Sequence, residues 1–219
     1  MRPRKGVSGR MVGRIIHGPE DLAEGADWLA RAEPRFAPAL ALGPLPLRRW
    51  PEGFAALLDA IIGQQVSTAS AAAIRGRMEA AGFLDELRVA AATEDDLRAA
   101  GLSRQKARYA SALARARLDY PGLALVPDAE VVARLVELPG IGRWTAEIYA
   151  MFSLGRADVF APGDLALQEA ARMLFSLEAR PSEKALRAMA EGWSPWRSIA
   201  ARALWAYYRA AKGREGIKA

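Results

Sequence analysis

From Phe54 onward the apolar residues fall at Phe54, Leu57, Leu58, Ile61, Ile62, Val66, Ala69 and Ala73. That three-and-four spacing is one buried face of a helix. It predicts a helix across this stretch, with Pro51 at a tolerated first-turn position and Gly63 interrupting it before Gln64 and Gln65. The same period returns after Ser103, with Ala107, Ala110, Leu113 and Ala114 inside. Its outer side carries Arg104, Lys106, Arg108, Arg115 and Arg117. A helix near Asp128–Val136 is expected to enter Leu138–Gly142, and a second to leave through Trp144 to about Phe152. Asp164 opens a further helix with Leu167, Ala171, Leu174 and Phe175. Ser194-Pro195 reads as a cap and first-turn proline launching a long helix to about Ala211.

Strand signals are nearly absent. Val12–Ile16 reads as a short extended piece, and Gly43–Pro46 and Asp119–Pro127 read as loops. The expected fold class is all-α, with roughly ten short helices and a cleft between two helical lobes.

Composition narrows the chemistry. The chain has 219 residues, 52% hydrophobic and 26% charged, enough for one domain or two small lobes with a proper core. A net charge of +6 suits a polyanionic partner. There are no cysteines, which excludes disulfides, thiolate metal sites and Cys-ligated iron–sulfur clusters. His17 is the only histidine and reads as surface or packing, so Ser-His-Asp catalysis and His-rich metal sites are closed. No apolar run approaches the ~20 residues needed to cross a bilayer. The basic start, Arg2 to Arg14, lacks the apolar block of a secretory signal. The expectation is an intracellular protein of cytoplasm or nucleoid, working with carboxylates, amides, hydroxyls and aromatics.

Leu138 to Asp164 holds the most specific chemistry. In Leu138-Pro139-Gly140-Ile141-Gly142, both glycines can take φ > 0 and let another backbone approach closely. The next helix directs unpaired N–H groups outward, which favours phosphate. Leu138 and Ile141 are expected to pin the turn to the core. An ordinary αα-hairpin would also need its glycines. About two dozen residues later, Asp164 follows Pro162-Gly163. It reads as a helix N-cap, as a fixed negative charge beside a sugar, or as both. Asp158, before Val159-Phe160, is expected to face solvent.

LPGIGRWTAE followed by DVFAPGDLALQ resembles the helix–hairpin–helix DNA glycosylases, in particular the DNA-3-methyladenine glycosylase II type. Ala60-Ile61-Ile62-Gly63-Gln64-Gln65-Val66-Ser67 and Trp193-Ser194-Pro195-Trp196-Arg197-Ser198, running on to Leu204-Trp205, are similar to the same group. The resemblance spans roughly residues 50 to 210. It implies a central lobe over 52–155 ending in the helix–hairpin–helix, and a second lobe of 1–51 plus 156–219. Only about 50 residues precede the first motif, so the compact form without an N-terminal β domain is expected.

The resemblance also assigns roles. Asp164 matches the family's invariant aspartate, which stabilises positive charge on the sugar as the base leaves. Trp144 stands where strand-nicking members carry a lysine, so a monofunctional enzyme is implied, with water as nucleophile. Trp144 and Trp205 are expected to wall a base pocket with Ile148 and Tyr149, cupping charged alkylated purines by stacking and cation–π attraction. Ile148 replaces an expected aromatic, and Gly163 stands where some relatives have a second acid. Leu138, Gly140, Ile141, Gly142, Arg143 and Thr145 are the expected DNA contacts, with Arg104, Lys106 and Arg108 as further phosphate ligands. Gln64 and Gln65 are the expected wedge that fills the gap left by a flipped base.

No cofactor is required, although hairpin carbonyls could hold a monovalent cation, Na or K, against phosphate. The partner is double-stranded DNA with alkylated bases, met by a monomer, with no membrane. The competing reading is a helix–hairpin–helix protein that binds DNA or lesions without cutting.

Overall fold

The computed structural model describes residues 12–213, so most of the basic start lies outside the described residues. Within them the fold is all-α: thirteen α-helices, two short 3₁₀ turns, and no strand beyond one isolated antiparallel bridge, Ile15 with Arg156. The helices are α1 (Pro19–Ala32), α2 (Ala37–Leu40), α3 (Phe54–Gly63), α4 (Thr68–Ala80), α5 (Glu86–Ala91), α6 (Glu94–Ala99) and α7 (Arg104–Ala116). They continue as α8 (Tyr120–Leu123), α9 (Asp128–Val136), α10 (Arg143–Phe152), α11 (Leu165–Leu174), α12 (Glu183–Ala190) and α13 (Arg197–Lys212). No described helix is long and apolar enough to cross a membrane.

Two packing groups share one apolar core. In the first, α7 gathers α3, α5 and α6, while α3 also meets α4 and α10, and α9 lies against α10. In the second, α13 packs against α11, α1 and α2. Every residue of α13 from Ser198 to Trp205 is buried, so the first half of this helix is enclosed on all sides.

The apolar period after Phe54 does not run as one helix. The chain leaves helical geometry after Gly63, Gln65 takes φ 54°, and Ser67 caps a new helix by accepting from the Ser70 amide at 3.1 Å. That local serine bond outcompetes continuation of α3. Val66, Ala69 and Ala73 are exposed, and Met78 is the only buried residue of α4. Pro51 precedes the helix instead of opening it, because Gly53 is the N-cap at φ 96°.

The 119–127 segment holds a helical turn, α8, where a plain loop was expected. Asp119 caps it through the Gly122 amide at 3.0 Å. The fully buried Arg156 then donates to the carbonyls of Leu123, Ala124 and Val126 at 3.1, 2.9 and 3.0 Å. Ser194 does not cap α13, which starts at Arg197; its hydroxyl donates to Asp158 at 2.8 Å.

Candidate active site

The hairpin between α9 and α10 is built as its sequence requires, with one correction. Leu138 and Ile141 are buried, and the Ile141 amide closes the turn on the Leu138 carbonyl at 3.0 Å. Gly140 has φ 88°, and a Cβ there would collide with the Tyr109 ring. Gly142 is different. It caps α10 in an extended conformation, φ −79°, and a Cβ there would meet nothing within 4 Å. No side chain caps α10, so its first-turn N–H groups face outward past a bare glycine. Arg143 is exposed beside them, while the Thr145 side chain is buried and contributes only its amide to this face.

The two glutamines separate in role. Gln64 is half-buried and its Nε2 donates to the Gly140 carbonyl at 2.8 Å, tying the α3–α4 turn to the hairpin. Its amide is thus engaged at the hairpin in this structure. Gln65 is exposed and sits in left-handed geometry. Behind them Lys106 Nζ donates to the Ile62 carbonyl at 2.7 Å, capping α3, and burial lowers its pKa below the usual lysine value. Arg108 lies 3.5 Å from Glu94, and Arg104 is exposed. A groove of about 740 Å³ runs here, lined by Gln64, Gln65, Lys106, Tyr109, Gly140 and Gly142 among others.

Asp164 is 8% exposed and is the N-cap of α11. Its Oδ1 accepts from the amides of Ala166 and Leu167 at 2.9 and 3.0 Å, and from the indole of Trp205 at 3.3 Å. Its Oδ2 accepts from the indole of Trp144 at 3.1 Å. The preceding turn is pinned by Gln168, which donates to the Pro162 carbonyl at 2.8 Å. Cap and carboxylate site are one arrangement.

The expected four-sided base pocket is not open in this structure. Trp205 is 3% exposed, presents its N–H to Asp164, and packs on Phe152 with ring centres 5.6 Å apart. Ile148 is buried, and so is Tyr149, whose hydroxyl accepts from the Gly53 amide at 2.9 Å. One turn beyond Trp144, the α10 wheel turns these side chains into the core. Trp144 alone of the four keeps a substantial open face, at 42%.

Sequence reasoning missed three features. Leu165, beside Asp164, is exposed although apolar. Glu147 is buried although charged, because it pairs with Arg143 and Arg187. Asp158 does not face solvent but accepts from Arg197 Nε at 2.7 Å. No group of acids or histidines suited to a metal ion occurs among the described residues.

Comparison with known proteins accords with this geometry. A family model described as HhH-GPD superfamily base excision DNA repair protein matches residues 58–195, which is more than half the chain. The chain belongs to the HhH-GPD superfamily. DNA-3-methyladenine glycosylase 2 of Escherichia coli is 32% identical over 160 residues, covering 67% of this chain and 54% of that protein. A solved DNA-3-methyladenine glycosidase from Bacillus halodurans superposes with a TM-score of 0.76 at 27% identity, covering 91% of this chain and 94% of that one. The Schizosaccharomyces pombe 3-methyladenine DNA glycosylase, solved with abasic DNA, shares the fold at a TM-score of 0.70 and 24% identity, covering 86% and 97%. This HhH-GPD chain spans only part of some curated relatives: 40% of a Bacillus subtilis protein that is 33% identical over 114 residues covering 50% of this chain, and about half of the Escherichia coli one.

Proposed function

We propose that this protein is a monofunctional DNA glycosylase that hydrolyses the N-glycosidic bond of alkylated purines, such as 3-methyladenine, flipped out of duplex DNA. The observation that carries the reading is the asymmetric hydrogen bonding of Asp164. Three donors crowd Oδ1, whereas Oδ2 accepts one, from Trp144, and keeps a lone pair free. Oδ2 is therefore the oxygen that meets the substrate.

In the reaction the C1′–N bond breaks with its electron pair leaving on the base, and positive charge develops on the sugar. A preorganised carboxylate oxygen stabilises that charge. Water then bonds to C1′ and gives up a proton, which Asp164 is placed to receive. The Trp144 indole has no amine to attack the sugar, so no Schiff base forms and the product is an abasic site. Its open face suits an electron-poor alkylated purine, each such contact contributing about 0.5–2 kcal/mol.

Gly142 and the α10 amides would grip a backbone phosphate. Gln65 is the wedge in this reading, and Gln64 holds the hairpin. A monovalent cation, if bound here, would be held by the carbonyls of Leu138 and Gly140, which each spend one lone pair internally and retain the second, and would supply positive charge toward phosphate. The protein works as an intracellular monomer.

The alternative, a binder that does not cut, has no use for an anion close to the phosphate grip. Incubation with methylated duplex DNA tests both readings. Free alkylated base should appear with wild type and not with Asp164→Asn, while the variant still binds DNA. Equal release by the variant rejects Asp164 as the catalytic group, and no release by either protein favours the binder. Borohydride should trap no protein–DNA adduct.

A further inference from the structure

Glu147 is a buried acid that the glycosylase reading leaves unused. It lies on α10, one turn beyond Arg143 and Trp144, and only 3% of it is exposed. Its Oε1 accepts from Arg143 Nε at 3.1 Å and lies 3.0 Å from Arg187 Nη1. Arg187 belongs to α12, across from the hairpin group, and its other terminal nitrogen pairs with Glu183 at 2.9 Å. Glu183 Oε2 in turn lies 3.3 Å from the place where a side chain on Gly163 would begin. A chain of alternating charges thus runs from the start of the hairpin helix to the turn that carries Asp164.

Such burial has a cost. Desolvation raises the Glu147 pKa above the usual glutamate value, and Arg187 and Arg143 oppose it. An exposed Arg–Glu pair at this spacing would avoid that cost while stabilising the helix only slightly. Arg143 is also at the positive end of the α10 dipole, where a cation is disfavoured. Glu147 offsets that repulsion and restricts a long side chain beside the amides that face phosphate.

We propose that Glu147 is a positioning residue. It aims Arg143 at the phosphate held by the hairpin and, through Arg187, sets the separation between that phosphate and the Asp164 carboxylate. The sugar is then presented at Oδ2 in reacting geometry, which small displacements spoil. This inference rests on the glycosylase reading above.

Glu147→Gln removes the charge and keeps the shape. At saturating protein in single turnover, base release should fall about tenfold or more. DNA binding should weaken less than about threefold, and the salt dependence of binding should flatten as Arg143 loses its aim. Arg187→Gln should give the same loss of rate, and the double variant should lose little more than either single, as expected of one coupled unit. Fluorescence of a base analogue beside the lesion should still report flipping. Asp164→Asn serves as the control: if it releases base as fast as wild type, the glycosylase reading itself fails. If Asp164→Asn is inactive but Glu147→Gln and Arg187→Gln release base at the wild-type rate, the positioning role alone is overturned. Should Glu147→Gln not fold, Arg187→Gln decides by the same criteria, since it cuts the link from a partly exposed side chain.

Discussion

The indole N–H of Trp144 closes on Oδ2 of Asp164 at 3.1 Å, the carboxylate oxygen that the helix cap leaves alone. The Trp205 indole meets the other oxygen from the core side. The two tryptophans therefore act on the acid through their N–H edges.

That division separates their variants. Trp144→Phe keeps an aromatic face, removes one charge-assisted hydrogen bond, and alters a partly exposed residue. Its stability should fall by about 1 kcal/mol, the low side for a hydrogen bond to a charged group because this one is partly exposed to water. Base release should fall on the order of tenfold, because a hydrogen bond to a charged group contributes about 1.5–3 kcal/mol. Trp205→Phe leaves a void under Asp164 and should cost about 1–3 kcal/mol of stability as well as activity. Thermal melts beside single-turnover release read both quantities. Equal stability losses in the two variants would contradict the assignment.

The hairpin glycines make an internal control. Gly140→Ala forces a side chain into left-handed geometry and against the Tyr109 ring, so it should cost about 1–3 kcal/mol or more of folding stability. Gly142→Ala meets no protein atom and should cost no more than about 1 kcal/mol, the difference between glycine and alanine at an N-cap. It should nevertheless weaken DNA binding, because its methyl group would occupy the space proposed for the phosphate. A Gly142→Ala protein that binds DNA normally would show that the phosphate lies elsewhere.

Local rules carried the sequence reading a long way. Asp128–Val136 is the span of α9 itself, bracketed by Pro127 and Pro139, and Asp164 caps α11 as its position before an apolar period requires. The failures share a cause. Alanine and valine prolonged the α3 period through a serine cap, since small apolar residues fit inside or outside equally well. Partner identity is long-range. Trp144 and Trp205 reach Asp164 from 20 and 41 positions away, and Tyr149 finds its amide at Gly53, 96 positions earlier. Nothing in the sequence near Glu147 announces its pairing with Arg187, 40 positions later.

Gln65 and Gln64 should part company on mutation. Gln65→Ala removes an exposed amide and should reduce base flipping, read by fluorescence of a base analogue, with little change in binding to undamaged DNA. Gln64→Ala cuts the tie to the Gly140 carbonyl and should weaken binding to every duplex alike. If Gln64→Ala lowers flipping and Gln65→Ala does not, the wedge has been assigned to the wrong residue.

Arg202 gives the fold a pH dependence of predictable sign. It is 2% exposed, with its guanidinium 4.8 Å from the Phe152 ring centre, and it donates to Ser198 and to the Leu47 carbonyl. No carboxylate pairs with it among the described residues. Burial, with Arg48 and Arg49 nearby, pushes its pKa down to about 9. Because the folded value lies below the unfolded one, the fold favours the neutral form. The unfolded chain binds more protons between about 9 and the ordinary arginine range, so this residue's contribution to stability rises with pH there and is lost as pH falls through about 9. At neutral pH the full penalty is present. Arg202→Met should therefore be more stable than wild type near pH 7, by something on the order of 1 kcal/mol, with thioether packing on Phe152 in place of the cation. The advantage should shrink as pH rises past about 9. Thermal or denaturant melts of both proteins between pH 7 and 10.5 would show it, and a difference that stays constant across that range would mean that the guanidinium carries its charge in the core at no cost.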